Sequence, residues 1–299
     1  MITVIGSVNM DLIATTPRLP EPGETVSGTD FTTAQGGKGA NQALAAQRAG
    51  ASVTMAGAVG DDAFASEALA LLAAAGADLT SVRLLEGPTG IAMILVGGDG
   101  ENMIVVIPGA NGEVTAADAD QAVAAMSAGD TLLLQMEIPE AAIEAALKAA
   151  RAKGVRSVLN IAPLTEAVER LAPLADIVIA NETEFARLSG RPAETLEAAR
   201  AELETLHAKT GQCLIVTLGG DGVLWARDGQ IAHVDSLKIT PVDTVGAGDT
   251  FCGYLAQGLD TGMEFAAAVR RAAAAGALAC LKPGAQPSIP VSADVEDRL

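Results

Sequence analysis

Residues 131–160 read TLLLQMEIPEAAIEAALKAARAKGVRSVLN. Two short strand candidates with apolar centres, 131–135 and 156–160, flank an Ala/Leu-rich stretch at 139–153. Segments of this length with apolar centres read as buried strands, and the stretch between them as a helix. The same alternation recurs. Further strand candidates lie at 2–6, 52–57, 176–180 and 213–218, and helical candidates at 38–49, 62–75, 166–171 and 194–210. The rhythm predicts an α/β fold: a three-layer αβα sandwich whose sheet is mainly parallel and covered by helices on both faces.

Two regions break the rhythm. Residues 11–35 are rich in threonine and proline and carry no helical stripe. Residues 89–107 read as two strands, Gly90–Val96 and Asn102–Ile107, joined by Gly97-Gly98-Asp99-Gly100, a strong hairpin signal. Together they predict a small antiparallel sheet that projects as a lid. A free face on such a sheet would serve as a dimerisation surface. With no linker and no low-complexity tract, residues 1–299 are expected to form one domain.

The formal net charge of −18 excludes a general nucleic-acid binder, which would show basic patches. Only His207 and His233 are present, which disfavours a multi-histidine metal site or a histidine-based triad. Cys213, Cys252 and Cys280 form no C-x-x-C pair and read as free thiols in a reducing compartment. The chain enters a strand at Ile2 without a basic, cleavable leader, and no apolar run reaches the roughly 20 residues of a membrane helix. A cytoplasmic protein with no membrane partner is expected.

Five segments carry candidate chemistry. In Asp243-Thr244-Val245-Gly246-Ala247-Gly248-Asp249-Thr250 the glycines let backbone N–H groups point one way, and the helix that follows adds its positive end. A carboxylate beside such an anion site suits a base for an attacking hydroxyl; the plain alternative is an Asp249 helix cap. Gly36-Gly37-Lys38-Gly39-Ala40-Asn41 opens helix 38–49 and lets a small polar ligand approach. It lacks the spacing of a nucleotide P-loop. Asn9 and Asp11 follow the first strand, where α/β sheets bind ligands and where a turn with Asx capping is also possible. Asn181-Glu182-Thr183-Glu184 is either a capped first turn or a place where Glu184 orients water on Mg²⁺. Thr217-Leu218-Gly219-Gly220-Asp221-Gly222 is either a hairpin turn or a loop against a nucleotide. Glu137 is a further ligand candidate.

In this order the segments resemble the ribokinase branch of the PfkB carbohydrate kinase family, from Gly6 to Ser288. Pro108-Gly109-Ala110-Asn111 and Gly284-Ala285-Gln286-Pro287-Ser288 add to the likeness. The resemblance implies a Rossmann-like domain with a lid often shared across a homodimer. It implies phosphoryl transfer from ATP to the 5-hydroxyl of D-ribose. Asn9, Asp11, Gly37, Lys38, Gly39, Asn41 and Glu137 would hold the sugar, covered by Ala92, Ile94 and Val106. Asn181, Glu184 and Thr217, Leu218, Gly219, Gly220, Asp221 and Gly222 would meet ATP and its Mg²⁺. Gly246, Ala247 and Gly248 would form the anion hole and Asp249 the base. A monovalent cation, K⁺ by size, would sit at Asp243, Val245, Ala279, Lys282, Gly284 and Ser288. One departure concerns the base of the nucleotide: the stretch where ribokinases often place a polar residue is Ala272-Ala273-Ala274-Ala275.

Three other readings remain open at this point. One is a sister kinase for another small sugar or a nucleoside, against which the scarcity of aromatics argues. Another is a sugar-binding module without turnover. The third is a dinucleotide oxidoreductase, disfavoured by the missing glycine fingerprint after the first strand.

Overall fold

Strands with no polar face can be hidden only in a sheet covered twice, and the computed structural model has such a sheet. It describes residues 1–192 and 195–299. The strands are β1 (Ile2–Ile5), β2 (Asn9–Thr15), β3 (Asp30–Gly36), β4 (Val53–Gly60), β5 (Asp78–Leu85), β6 (Gly90–Val96) and β7 (Asn102–Ile107). They continue with β8 (Thr131–Leu134), β9 (Arg156–Asn160), β10 (Ile177–Asn181), β11 (Cys213–Thr217), β12 (Val223–Arg227) and β13 (Gln230–Val234). Nine of them form the main sheet in the order β13-β12-β11-β10-β9-β8-β1-β4-β5. All its pairings are parallel except β11 with β12 and β12 with β13.

Side chains sort by the two-residue strand period. Leu133, Val158, Ile177, Ile179 and Ile215 enter one core with helices Lys38–Arg48, Ala247–Asp260 and Phe265–Ala279. Leu132, Leu134, Leu159, Val178 and Leu214 enter the other core with helices Ala116–Ala124, Glu140–Lys153 and Leu196–Thr210. Emptying one of these fully buried leucine sites would cost about 2–5 kcal/mol. The helix of the deciding stretch, Glu140–Lys153, ends at Gly154 with φ 69°, the left-handed conformation that a C-terminal glycine supplies. Helices Lys38–Arg48 and Ala247–Asp260 pack backbone to backbone, because Gly253 has no Cβ to strike Gln42 O at 2.6 Å.

Several expectations need correction. The stretch 62–75 is two short helices, Phe64–Ala68 and Ala70–Ala74, interrupted at Leu69. The predicted helix 194–210 is observed as Leu196–Thr210; residue 194 lies outside the described residues. The small sheet, β3-β2-β6-β7, is not purely antiparallel: its central pair, β2 with β6, is parallel. Both strands leave the main body at the same end, so they must run the same way. Asn9 and Asp11 lie on β2 rather than in a turn. Strands β5 and β13 and helix Ala116–Ala124 are additions to the expected elements. Among the described residues, no helix is long and apolar enough to cross a membrane.

Candidate active site

The sheet order reverses at β1: the chain runs outward through β4 and β5, then returns to add β8 on the other side. Ligands in open α/β sheets bind beyond the strand ends at such a switch point. Ser7 and Asn9 follow β1 there, and Glu137 follows β8.

Glu137 is tied to the start of helix Lys38–Arg48. Its Oε2 accepts from Ser7 Oγ (2.6 Å) and from the Lys38 backbone N–H (3.0 Å). Gly37 precedes that helix with φ 87° and passes so close to β2 that a Cβ would lie 2.8 Å from Asn9 N. Gly39 likewise leaves room for Ser7. Asn9 is buried, and its Oδ1 accepts from Asn111 Nδ2 (2.7 Å). Asn111 also exchanges bonds with both backbone groups of Val8. Asp11 faces the same region; a Cβ on Gly36 would strike its carboxylate at 2.3 Å. Burial first, then the nearby charges of Glu137 and Asp249, push the Asp11 carboxyl up to about 7. Lys38 is the cation among these acids, and Asp249 above all holds its ammonium above the usual lysine value.

Asp249 sits in the first turn of helix Ala247–Asp260 and is 6% exposed. It is not the cap. Gly246 caps the helix with φ 78°, and a Cβ there would come 2.9 Å from Ala285 Cα. The Gly248 and Asp249 N–H groups find no acceptor among the described residues, and a Cβ on Gly248 would meet no protein atom. An anion thus has both free donors and space. The carboxylate is held from the facing helix: Asn41 Nδ2 donates to Oδ2 and Gln42 Nε2 to Oδ1, each at 2.9 Å. The buried Asn41 Oδ1 has no partner and is free to accept from a ligand hydroxyl.

A cavity of about 1250 Å³ leads away from Asp249. Lys38, Asn181, Glu184, Thr217, Asp221 and Gly246–Asp249 line it, as do Gly219, Gly220 and Gly222. Leu218 does not; it packs against the core. The turn at 219–221 is 3₁₀ rather than a plain hairpin. Asn181 and Glu184 make the capping box, each side chain accepting from the other's backbone N–H (2.8 and 2.9 Å). The same Glu184 also faces the cavity, and burial raises its carboxyl above the ordinary glutamate value.

Ala92 and Val106 are register partners, and Ala92 pairs with Asp11 on β2, so the three share one face of the small sheet. Ile94 lies two residues along on the same face. The opposite face carries Phe31, Met93, Met103 and Val105, all more than half exposed. Behind the anion site, Asp243 joins two segments: Oδ1 accepts from Val245 N (3.0 Å) and Oδ2 from Gly284 N (2.8 Å). Ala279 and Lys282 are tied by a weak backbone bond, and Ser288 Oγ donates to Ala285 O.

The predicted residues therefore converge from both ends of the chain. Sequence reasoning assigned no role to Ser7, Gln42 or Asn111. Asn111 lay in a quoted motif, and Gln42 adjoins Asn41; their partners are distant in sequence.

Residues 1–292 match the pfkB family carbohydrate kinases. The chain is 38% identical over 299 residues to ribokinase of Bacillus subtilis, covering 100% of this chain and 99% of that one. It is 35% identical to deoxyribokinase of Salmonella typhimurium, covering 97% and 95%. The structure of Arabidopsis thaliana ribokinase complexed with ribose and ATP superposes with a TM-score of 0.88 at 32% identity, covering 99% and 97%. A match over residues 1–292, with relatives at 35–38% identity over nearly the whole chain, makes the chain a member of the pfkB family of carbohydrate kinases.

Proposed function

We propose that the chain transfers the γ-phosphoryl group of ATP to the 5-hydroxyl of D-ribose, acting as one kinase domain with residues 11–35 and 89–107 as its lid. The observation that carries this reading is the buried Asp249 carboxylate beside free backbone N–H groups and the space left by Gly248. Asp249 takes the hydroxyl proton as the oxygen attacks phosphorus. The free N–H groups of Gly248 and Asp249 stabilise charge on the transferring group, the Ala247 N–H being held by Thr244 O, and Lys38 adds a cation between sugar and phosphate.

Asn9, Asp11, Asn41 and Glu137 supply short polar groups for the sugar hydroxyls, and Gly37, Lys38 and Gly39 admit the ring to the backbone. Ala92, Ile94 and Val106 close over it. ATP occupies the large cavity against Asn181, Glu184 and the 217–222 turn. Mg²⁺ supplies charge neutralisation on the phosphates when bound. Glu184 suits it: its Oε2 is engaged by Asn181 N, leaving Oε1 for a metal-bound water. Among the described residues no cluster of three or more His, Cys, Asp or Glu forms a metal cage, and an ion bound through phosphates needs none. A K⁺-sized ion fits the donor chemistry at Asp243 and at the carbonyls of Val245, Ala279, Lys282, Gly284 and Ser288, where both carboxylate oxygens keep a lone pair. The exposed apolar face of the lid pairs with a second copy. The cytoplasm, where ATP is available, is the proposed compartment.

The deoxyribokinase relative favours a second reading, 2-deoxyribose as the preferred acceptor. Parallel kcat/KM measurements on ribose, 2-deoxyribose, other pentoses and hexoses with Mg²⁺–ATP decide between them. Preference for deoxyribose refutes the first reading, and turnover of no sugar refutes both.

A further inference from the structure

Beneath Asp249 lies a chain of buried amides, Gln135, Gln42 and Asn160, of which Asn160 alone borders the large cavity. Gln42 is fully buried and uses every hydrogen-bonding atom of its amide. Its Nε2 donates to Asp249 Oδ1 (2.9 Å) and to Asn160 Oδ1 (3.1 Å), and its Oε1 accepts from Gln135 Nε2 (2.7 Å). Asn160 Nδ2 donates onward to Ile179 O (3.3 Å), which leaves its Oδ1 to face Gln42. The orientation of the Gln42 amide is therefore set from the Asn160 side, and Gln135 Nε2 is turned to meet its carbonyl. Gly6 makes room for the arrangement, since a Cβ there would strike Gln135 Oε1 at 2.0 Å. Buried amides are costly where leucine would pack, and Gln135 Oε1 finds no partner among the described residues, so the network around Gln42 calls for a role other than stability.

We infer that Gln42 is a positioning residue for phosphoryl transfer: its amide fixes the Asp249 carboxylate from below, so that Oδ2 and the outer lone pair of Oδ1 face the acceptor hydroxyl. A neutral donor suits this task. It stabilises the anion and has no proton to give it, where a lysine would compete for the carboxylate. Asn160, itself held by Ile179 O, keeps the carbonyl of the amide turned away from Asp249. The inference rests on Asp249 being the base. Asp249 is also faced by Lys38 from its own helix's partner, by Asp11 from the lid, by Glu184 from across the cavity and by Cys252 from its own helix.

The test is Gln42→Met, which keeps the volume and removes the donor, measured at saturating ribose and Mg²⁺–ATP. The expected result is a kcat lower by about 10- to 100-fold, the range that goes with one hydrogen bond to a charged group. KM for both substrates stays within about threefold, and the acid limb of the kcat profile moves to higher pH by about one unit. An unchanged kcat overturns the inference. So does a loss spread equally over both KM values with a lowered melting temperature and an unmoved acid limb. If Gln42→Met does not fold, Gln135→Glu is read instead. A carboxylate cannot donate to Gln42 Oε1 and repels it, so the amide is displaced from Asp249; kcat falls with substrate affinities retained, and a parental kcat overturns the inference. Asp249→Asn separates the two levels: if that variant turns over normally, the assignment of the base fails, whatever Gln42 does.

Discussion

Gly248→Ala should strengthen the fold and weaken the enzyme. Gly248 lies in the first turn of helix Ala247–Asp260, its φ is not positive, and an added Cβ meets no protein atom within 4 Å. Alanine therefore costs no strain and narrows the unfolded ensemble, for a gain of about 0.4–1 kcal/mol. Spread over a chain of this size, that is about 1–2 °C in melting temperature. The open space is, however, where the transferring phosphoryl group is proposed to sit. A methyl group there displaces it by about 1 Å, which is worth about 100-fold in rate. Calorimetry and a coupled ADP-release assay on the same preparation measure both effects. A variant that is more stable and fully active would refute the anion site at this helix start. One that is destabilised would refute the packing argument. Gly246→Ala is the control of opposite sign: with φ 78° and Ala285 Cα at 2.9 Å it should lose stability as well as activity.

Asp249→Asn should lower kcat by about 100-fold or more with near-parental melting, and normal turnover would remove it as the base. Gly36→Ala should push a methyl into the Asp11 carboxylate and raise the sugar KM severalfold with the ATP KM unchanged; equal rises in both would refute the assignment of Asp11 to the sugar. Because the Asp11 carboxyl is raised to about 7, its folded form keeps a proton that the unfolded chain has lost. Its contribution to stability is then full below about pH 4 and disappears as pH rises through about 7. Melting of the parent relative to Asp11→Asn should fall over that window, and sugar KM should fall with it as the carboxylate becomes the better acceptor; flat curves would refute the shift. Activity titrated with KCl, NaCl and a bulky organic cation at matched ionic strength should rise selectively with K⁺, and Asp243→Ala should abolish the difference.

What the sequence discloses here follows from what is local. Apolar runs at β8 and β11, and the Val158-Leu159 centre of β9, announce buried strands, and their limits are right within a residue or two. Strand β5 is harder to see, because DLTSVRLL mixes polar and apolar residues at a sheet edge. Strand β13 is half exposed with His233 in it, and only pairing with β12 makes it a strand. The parallel β2–β6 pair depends on where two distant segments leave the body, which no window of sequence contains. At the site, glycines and acids flagged themselves by clustering. Gln42 did not, since adjacent helix positions point about 100° apart, and only Asp249, lying between them, gives Asn41 and Gln42 a common partner. Asn181–Glu184 read as two competing possibilities, and the geometry holds both at once.

The bond between Asn41 and Asp249 spans 208 residues. At synthesis rates of about 5–20 residues per second, the base leaves the ribosome about 10–40 s after the residues that hold it. For that interval the nascent chain can carry much of the sugar side of the site and the first strands of the sheet, and it has nothing with which to activate a hydroxyl or cradle a γ-phosphate. If Asp249 is the base as proposed, an unfinished chain lacks the group that would spend ATP. On that reading competence waits for helix Ala247–Asp260 to pack on helix Lys38–Arg48, with helix Phe265–Ala279 packed against it in turn.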